Sequence, residues 1–477
     1  MPSLLVILPL LAVLLLNLPL NFLRRLAQPA ALLFAVYQAL FALQVLPAGC
    51  TGCPTHERWF VNVLDPLTSV LLLAIAIVMF AAVCVLRATA SDEKHGFNAL
   101  NLMLLAVAGM NGLVMVRDLF SLYIFLEIAS VSSFLLIAAQ RDMGGLEGAF
   151  KYLVMSALAT MMMLASIGLL LAYSGSTKFM VVAEALHAHG SHGYLLTAIG
   201  LFLGGLLIKS GVVPFHGWLP DAYAAAPAAA STLLAGIVTK CTGVYTLIRL
   251  VQDVFGPAVA TQQLLLIFGA LSVVVGALAA LGQSDLKRLL AYSSISQVGY
   301  ILLGLGVCGS ANKFAAQLGV AGAVFHLFNH AIFKTLLFVN AAAVEKQTGT
   351  RDMNRLGGLA QKMPITGLTS LLAMFATAGV PPLAGFWSKL LIIAALWLAG
   401  LHGYAVLGIA ASLLTLAYFL SMQRRVFFGL LRPEFAHVRE AGWALTVPSL
   451  LLAAILVGVG LALPWLIGSF LLPVKGF

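Results

Sequence analysis

The chain has 477 residues, of which 62% are hydrophobic and 9% charged. Soluble proteins carry about 25% charged residues to hydrate their exterior, so a soluble enzyme, a nucleic-acid binder and a disordered scaffold are excluded. The net charge of +10 then reads as basic loops on one side of a membrane, not as a nucleic-acid surface.

A spanning helix needs about 20 apolar residues. Apolar runs fall at 3–22, 30–48, 64–86, 98–116, 119–139, 150–173, 194–213, 227–251, 261–281, 287–306, 316–343, 365–397, 402–424 and 445–471. They predict an all-α polytopic membrane protein of about 14 helices, a single transmembrane domain over 1–477. A β-barrel is excluded, because its strands alternate over about ten residues and these runs are continuous. The first run lacks a charged start and a small-residue cleavage site, so a retained helix is expected and not a signal peptide.

With the N-terminus outside, the inner loops hold sixteen basic residues, among them Arg24, Arg25 and Lys287. The outer loops and the C-terminus hold six, among them Arg117 and Arg249. This bias predicts both termini on the outer side. Four lysines remain inside apolar runs: Lys209, Lys240, Lys334 and Lys389. The same sorting leaves one acid in mid-helix, Glu127, and three histidines inside or at broken runs, His216, His326 and His330.

A charge at mid-bilayer costs roughly 2.5–3.5 kcal/mol, so four lysines oppose insertion by roughly 10–14 kcal/mol. One such lysine can snorkel from a helix end. Lys240 fits that worst, being central in its run. Four of them on four helices point to protonatable groups along a wet interior path. Burial disfavours the charged ammonium and lets a lysine release its proton, while a nearby carboxylate favours the charged form. Glu127 is the mid-helix acid available as such a switch; a packing hydrogen bond by the neutral acid is its other reading.

His326, His330 and Lys334 follow one another at i, i+4 and i+8, on one helix face over about 12 Å. A proton relay and a hydrogen-bonded core both fit. Zinc would want a third ligand, and the neighbouring sequence offers none. Ser293, Ser294, Ser296 and Gln297 either hold water or pack helices. Cys50 and Cys53 form a C-x-x-C pair that is either a disulfide or two free thiols. No cysteine set suits an iron–sulfur cluster, and no P-loop or dinucleotide fingerprint is present. No redox centre or cofactor is therefore expected in this chain.

Two signatures recur at one offset. Asp118-Leu119 and Asp285-Leu286 are 167 residues apart, as are Val213-Pro214 and Val380-Pro381. Each proline break has glycines nearby and a tryptophan, Trp218 or Trp387, shortly after. Matched, interrupted helices in two halves point to a transporter built from repeats. Pro214 and Pro381 free backbone groups inside the bilayer, and act either as pivots beside Lys209 and Lys389 or as plain kinks.

The segments GGLLIKSGVVPFHGWLPDAYAAAPAAASTLLAGIVTKCTGVY, LKRLLAYSSISQVGYILLG, FHLFNHAIFKTLLF and GVPPLAGFWSKLLI resemble the antiporter-like subunits of respiratory complex I. That superfamily includes the Mrp cation/proton antiporters and the membrane arms of energy-converting hydrogenases. The resemblance spans roughly 60–430. It implies two inverted five-helix repeats, 98–255 (helices four to eight) and 261–424 (helices nine to thirteen), with helices seven and twelve broken. It also implies a Glu127–Lys209 coupling pair, a central relay of Lys240 with His330 and Lys334, and Lys389 as the exit-side donor. His216, His326, Pro214 and Pro381 are supporting residues. A lysine at 389, and a chain expected to stop just after helix fourteen without a lateral helix, make the N-like subunits of NADH-quinone oxidoreductase the most similar.

The function implied is proton translocation within a redox-driven complex of a bacterial inner membrane. Partner subunits would carry iron–sulfur clusters and flavin or nickel–iron centres. The other partners implied are further antiporter-like and small membrane subunits, a peripheral redox arm and the lipid bilayer, with no nucleic acid. The alternatives are a subunit of an Mrp-type Na⁺/H⁺ antiporter, of an energy-converting hydrogenase or of a formate hydrogenlyase.

Overall fold

The chain's few acids are concentrated at helix starts. Asp65, Asp92, Asp118, Asp142 and Asp285 each accept the backbone N–H of the residue three further on, satisfying an orphan donor and opposing the helix dipole. In the computed structural model, which describes residues 2–18, 21–46, 55–57, 60–188 and 193–466, the chain is almost entirely helical. The exception among the described residues is a small antiparallel ribbon, β1 (Thr55–Glu57) with β2 (Phe60–Asn62).

The helices are α1 (Leu4–Leu16), α2 (Asn21–Val45), α3 (Pro66–Thr89), α4 (Glu93–Met115), α5 (Leu119–Ile137), α6 (Met143–Ser174), α7 (Phe179–Ala188) and α8 (Gly193–Ser210). After a break come α9 (Trp218–Ala225) and a helical run over Ala228–Phe255. This run consists of α10 (Ala228–Leu233) and α11 (Thr246–Leu250) interleaved with π-helical stretches. Then follow α12 (Val259–Leu281), α13 (Leu286–Leu305), α14 (Lys313–Thr348), α15 (Pro364–Ala378), α16 (Ala384–Leu398), α17 (His402–Val426) and α18 (Trp443–Leu466). Among the described residues, eleven helices are long and apolar enough to cross a membrane.

Some expected boundaries shift. α2 begins at Asn21 and not near 30, so Arg24 and Arg25 lie in its first turns and not in a loop. Pro29 is tolerated inside it. The short α7 was not expected, because its ten residues are too few for a span. The apolar run 365–397 is two helices, α15 and α16, separated at the Pro381 break. Cys50 and Cys53 lie outside the described residues.

Contacts divide the chain into two compact units. Unit 1 holds residues 1–86, 90–211 and 225–256; unit 2 holds 87–89, 212–224 and 257–477. Inside unit 1, Gln38 and Asn111 exchange two side-chain hydrogen bonds of 2.9 and 2.8 Å, joining α2 to α4. Inside unit 2, an apolar cluster that includes Tyr300, Leu303, Ile392 and Leu396 packs α13 against α16.

The recurring signatures have matching local structure. Leu119 N–H donates to Thr177 O at 2.8 Å and Leu286 N–H to Arg351 O at 3.0 Å, so each capped helix start is clipped to a later loop. At the two breaks the chain turns at Gly211 (φ 66°) and Gly379 (φ 88°), a left-handed conformation that favours glycine.

Candidate functional site

In unit 1 the lysine at the end of α8 is fully enclosed. Lys209 Nζ donates to Ser130 Oγ of α5 at 2.7 Å and to Ser156 Oγ of α6 at 2.5 Å. Glu127 Oε1 lies 3.6 Å from the same ammonium. Exposure differs sharply across this pair, 1% for the lysine side chain and 32% for the glutamate. Glu127 lies on the face of α5 that carries the exposed Ile124 and Val131. The arrangement is a buried cation whose carboxylate partner reaches the surface of the subunit.

Lys240 opens the π-helical stretch Lys240–Tyr245 and is 0% exposed. Its ammonium donates to the carbonyl of Ala235. Departures from α geometry of this kind are frequent at functional sites. The stretch lies hard against the end of α8: a Cβ at Gly243 would come within 2.6 Å of the Ser210 backbone nitrogen. Glycine there lets the Lys240 run approach the residue next to Lys209.

In unit 2, His326, His330 and Lys334 are all 0% exposed on α14, and the two imidazoles stack at 6.3 Å. Lys334 Nζ donates to Leu290 O at 2.9 Å and to Ser293 Oγ on α13. Nδ1 of His326 is 2.8 Å from Ser388 Oγ, beside Lys389 in the sequence. Lys389 is 3% exposed; its ammonium lies 4.4 Å from the centre of the Tyr300 ring and donates to Ala378 O at 3.4 Å. Tyr300 in turn faces His326, with centroids 5.9 Å apart. Unit 2 thus brings Lys334, both histidines and Lys389 into one buried polar line.

His216 lies in the first break, its ring 6.4 Å from Tyr292. Pro214 lies in the same break and Pro381 in the second. The Val213 N–H left free by the first break donates to Ser272 Oγ at 3.1 Å, the internal satisfaction that broken helices need in lipid. Ser294 bonds back to Leu290 O, and Ser296 reaches Val273 O. Gln297 is buried, and its amide finds no hydrogen-bond partner among the described residues. Buried polar groups of this kind commonly take water.

Residues 116–415 match the family described as NADH:quinone oxidoreductase/Mrp antiporter, transmembrane. The chain belongs to this family. It is 33% identical over 487 residues to a NADH-quinone oxidoreductase subunit N of Desulforudis audaxviator, covering 96% of this chain and 94% of the relative. One component of the Na(+)/H(+) antiporter of Alkalihalophilus pseudofirmus is 31% identical over 353 residues, or 74% and 69% of the two chains. Among solved structures, a chain of respiratory complex I from Thermus thermophilus superposes with a TM-score of 0.78 at 28% identity, covering 98% of this chain and 99% of that one.

Two features of this family member were misread in the sequence. Lys287, counted in an inner loop, is the second residue of α13 and only 2% exposed. Arg249, counted in an outer loop, is 5% exposed. It clamps Asp65, with Nη2 2.8 Å from Oδ1 and Nη1 2.7 Å from Oδ2. Arg117 adds a third contact to Asp65 at 2.8 Å, and Asp253 lies 3.3 Å from Arg249. Burial pushes the Asp65 carboxyl up, but Arg249 and Arg117 outweigh it and hold the group well below the usual carboxylate range. The stabilisation is therefore full above the ordinary carboxylate pKa and is lost as pH falls through the depressed one. The local signal was the pairing of basic and acidic residues at helix ends, which sequence distance concealed.

Asp65→Ala would leave Arg249 short of its main partner. Breaking a buried pair costs about 3–5 kcal/mol, and the lower end is expected because Asp65 is 23% exposed. The purified complex should lose this subunit at clearly lower temperature than wild type at neutral pH. A complex as heat-resistant as wild type would contradict this account of the clamp.

Proposed function

We propose that the chain is an N-type antiporter-like subunit of a NADH-quinone oxidoreductase, moving protons along buried titratable groups. Glu127, Lys209 and Lys240 serve in unit 1, and His330, Lys334 and Lys389 in unit 2. His216, His326, Pro214 and Pro381 support them. The observation that carries this reading is the Glu127–Lys209 pair, whose buried ammonium has a carboxylate at 3.6 Å that reaches the surface. A carboxylate that can be neutralised or drawn away changes how firmly the lysine keeps its proton.

The redox chemistry belongs to partner subunits carrying iron–sulfur clusters and flavin; this chain contributes no redox centre. Its partners are other antiporter-like and small membrane subunits and a peripheral redox arm. It spans a bacterial inner membrane fourteen times, with both termini outside. The eleven long apolar helices supply most of the crossings, and α1, α13 and the α15–α16 pair supply the other three. Two inverted five-helix repeats, 98–255 and 261–424, account for the paired aspartate caps, the loop clips and the glycine turns at both breaks. The 33% identity to a subunit N over nearly its whole length supports the NADH-linked assignment over the antiporter one.

Inverted membrane vesicles test the assignment. NADH oxidation should drive proton uptake that disappears when this chain is deleted. Na⁺/H⁺ exchange that proceeds without any redox substrate and requires the chain would support the antiporter reading instead.

A further inference from the structure

The arrangement at Glu127 and Lys209 occurs a second time, at the end of α14. Lys287 Nζ lies 3.2 Å from Glu345 Oε2, with side-chain exposures of 3% and 35%. For Lys209 and Glu127 the values are 3.6 Å, 1% and 32%. Both pairs join an enclosed ammonium to a carboxylate that reaches the surface.

The second pair is built on the two helices that hold Lys334. Glu345 is eleven residues beyond Lys334 on α14, three turns along the same face and about 16 Å away. Lys287 is one turn ahead of Leu290 on α13, and the Leu290 carbonyl accepts from Lys334 at 2.9 Å. Ser293 and Ser294 also donate to that carbonyl, at 2.9 and 3.0 Å, and Ser293 accepts from Lys334. The Leu290 carbonyl and the Ser293 hydroxyl thus hold the Lys334 ammonium on the same helix that carries Lys287.

Two further charges face Glu345 and its surroundings. Arg351 Nε lies 3.6 Å from Glu345 Oε1 and 3.4 Å from Asp285 Oδ2. The guanidinium keeps its charge at every working pH. Glu345 therefore keeps one cationic partner when Lys287 is discharged.

We infer that Glu345 and Lys287 form a second carboxylate–lysine pair that loads protons onto Lys334 from the water at this end of unit 2. The inference rests on the proton-carrying function proposed above. The Lys287 ammonium passes a proton, by way of water along α13 and the Ser293 hydroxyl, to the neutral amine of Lys334. The Glu345 carboxylate takes one proton from water and gives it to the Lys287 amine, which restores carboxylate and ammonium. One proton leaves the water and one arrives at Lys334.

Lys287→Arg separates this role from a structural clasp. Arginine pairs with Glu345 at least as well as lysine but does not release its proton. In inverted vesicles carrying the assembled complex, proton uptake per NADH oxidised should fall by as much as it does in Lys240→Ala. Glu345→Gln keeps a hydrogen bond to Lys287 and should show the same loss, with Glu345→Asp between it and wild type. Wild-type uptake in assembled Lys287→Arg would overturn the inference. If that variant fails to assemble, Glu345→Gln decides in the same way, and failure of both to assemble would make the network a clasp and overturn the inference too. Normal uptake in Lys240→Ala as well would instead strike the proposed function itself.

Discussion

Lys240→Ala should abolish proton transfer through this subunit while the complex still assembles. The side chain is 0% exposed and sits inside Ala228–Phe255, a run whose apolar window is wholly buried. Snorkelling therefore has no route to water. Removing the cation strands no carboxylate, since no acid lies within ion-pair distance of Lys240 among the described residues. The Ala235 carbonyl loses a donor, a cost of about 1–3 kcal/mol, too little to unfold a subunit held by so many packed helices. Lys240→Arg sharpens the test, because it keeps the charge and withholds the proton. Both variants should be inactive in proton transfer, measured as proton-to-electron stoichiometry in assembled complexes. Normal stoichiometry in either would remove Lys240 from the path.

Replacing the charge of Glu127 should have the next largest effect. The Glu127 carboxylate lies 3.6 Å from the Lys209 ammonium, within the range at which opposite charges act strongly on one another. Glu127→Gln keeps size and hydrogen bonding, and Ser130 and Ser156 continue to hold the lysine, so assembly should survive. Proton transfer should fall steeply, because Lys209 is no longer held charged at one stage and released at another. Glu127→Asp keeps the charge and withdraws it by one methylene, so partial activity is expected. Equal pumping by the Gln and Asp variants would make Glu127 a packing residue.

By itself the sequence determined the membrane class, the buried lysines at 209, 240, 334 and 389, the shared face of His326, His330 and Lys334, and the two breaks. These follow from local physics: the cost of placing one residue in hydrocarbon, the pitch of a helix and the missing N–H of proline. Only the tertiary structure decided the partners. Ser130 and Ser156 are 79 and 53 residues from the Lys209 they hold, and Asp65 is 184 from Arg249. Counting loops by charge placed Lys287 and Arg249 in water, because a basic residue near the end of an apolar run reads the same whether it faces solvent or a neighbouring helix. Which of the two it faces depends on the rotation of each helix in the packed bundle, and that rotation is set by close contacts such as Gly243 on Ser210, made between residues far apart in the chain.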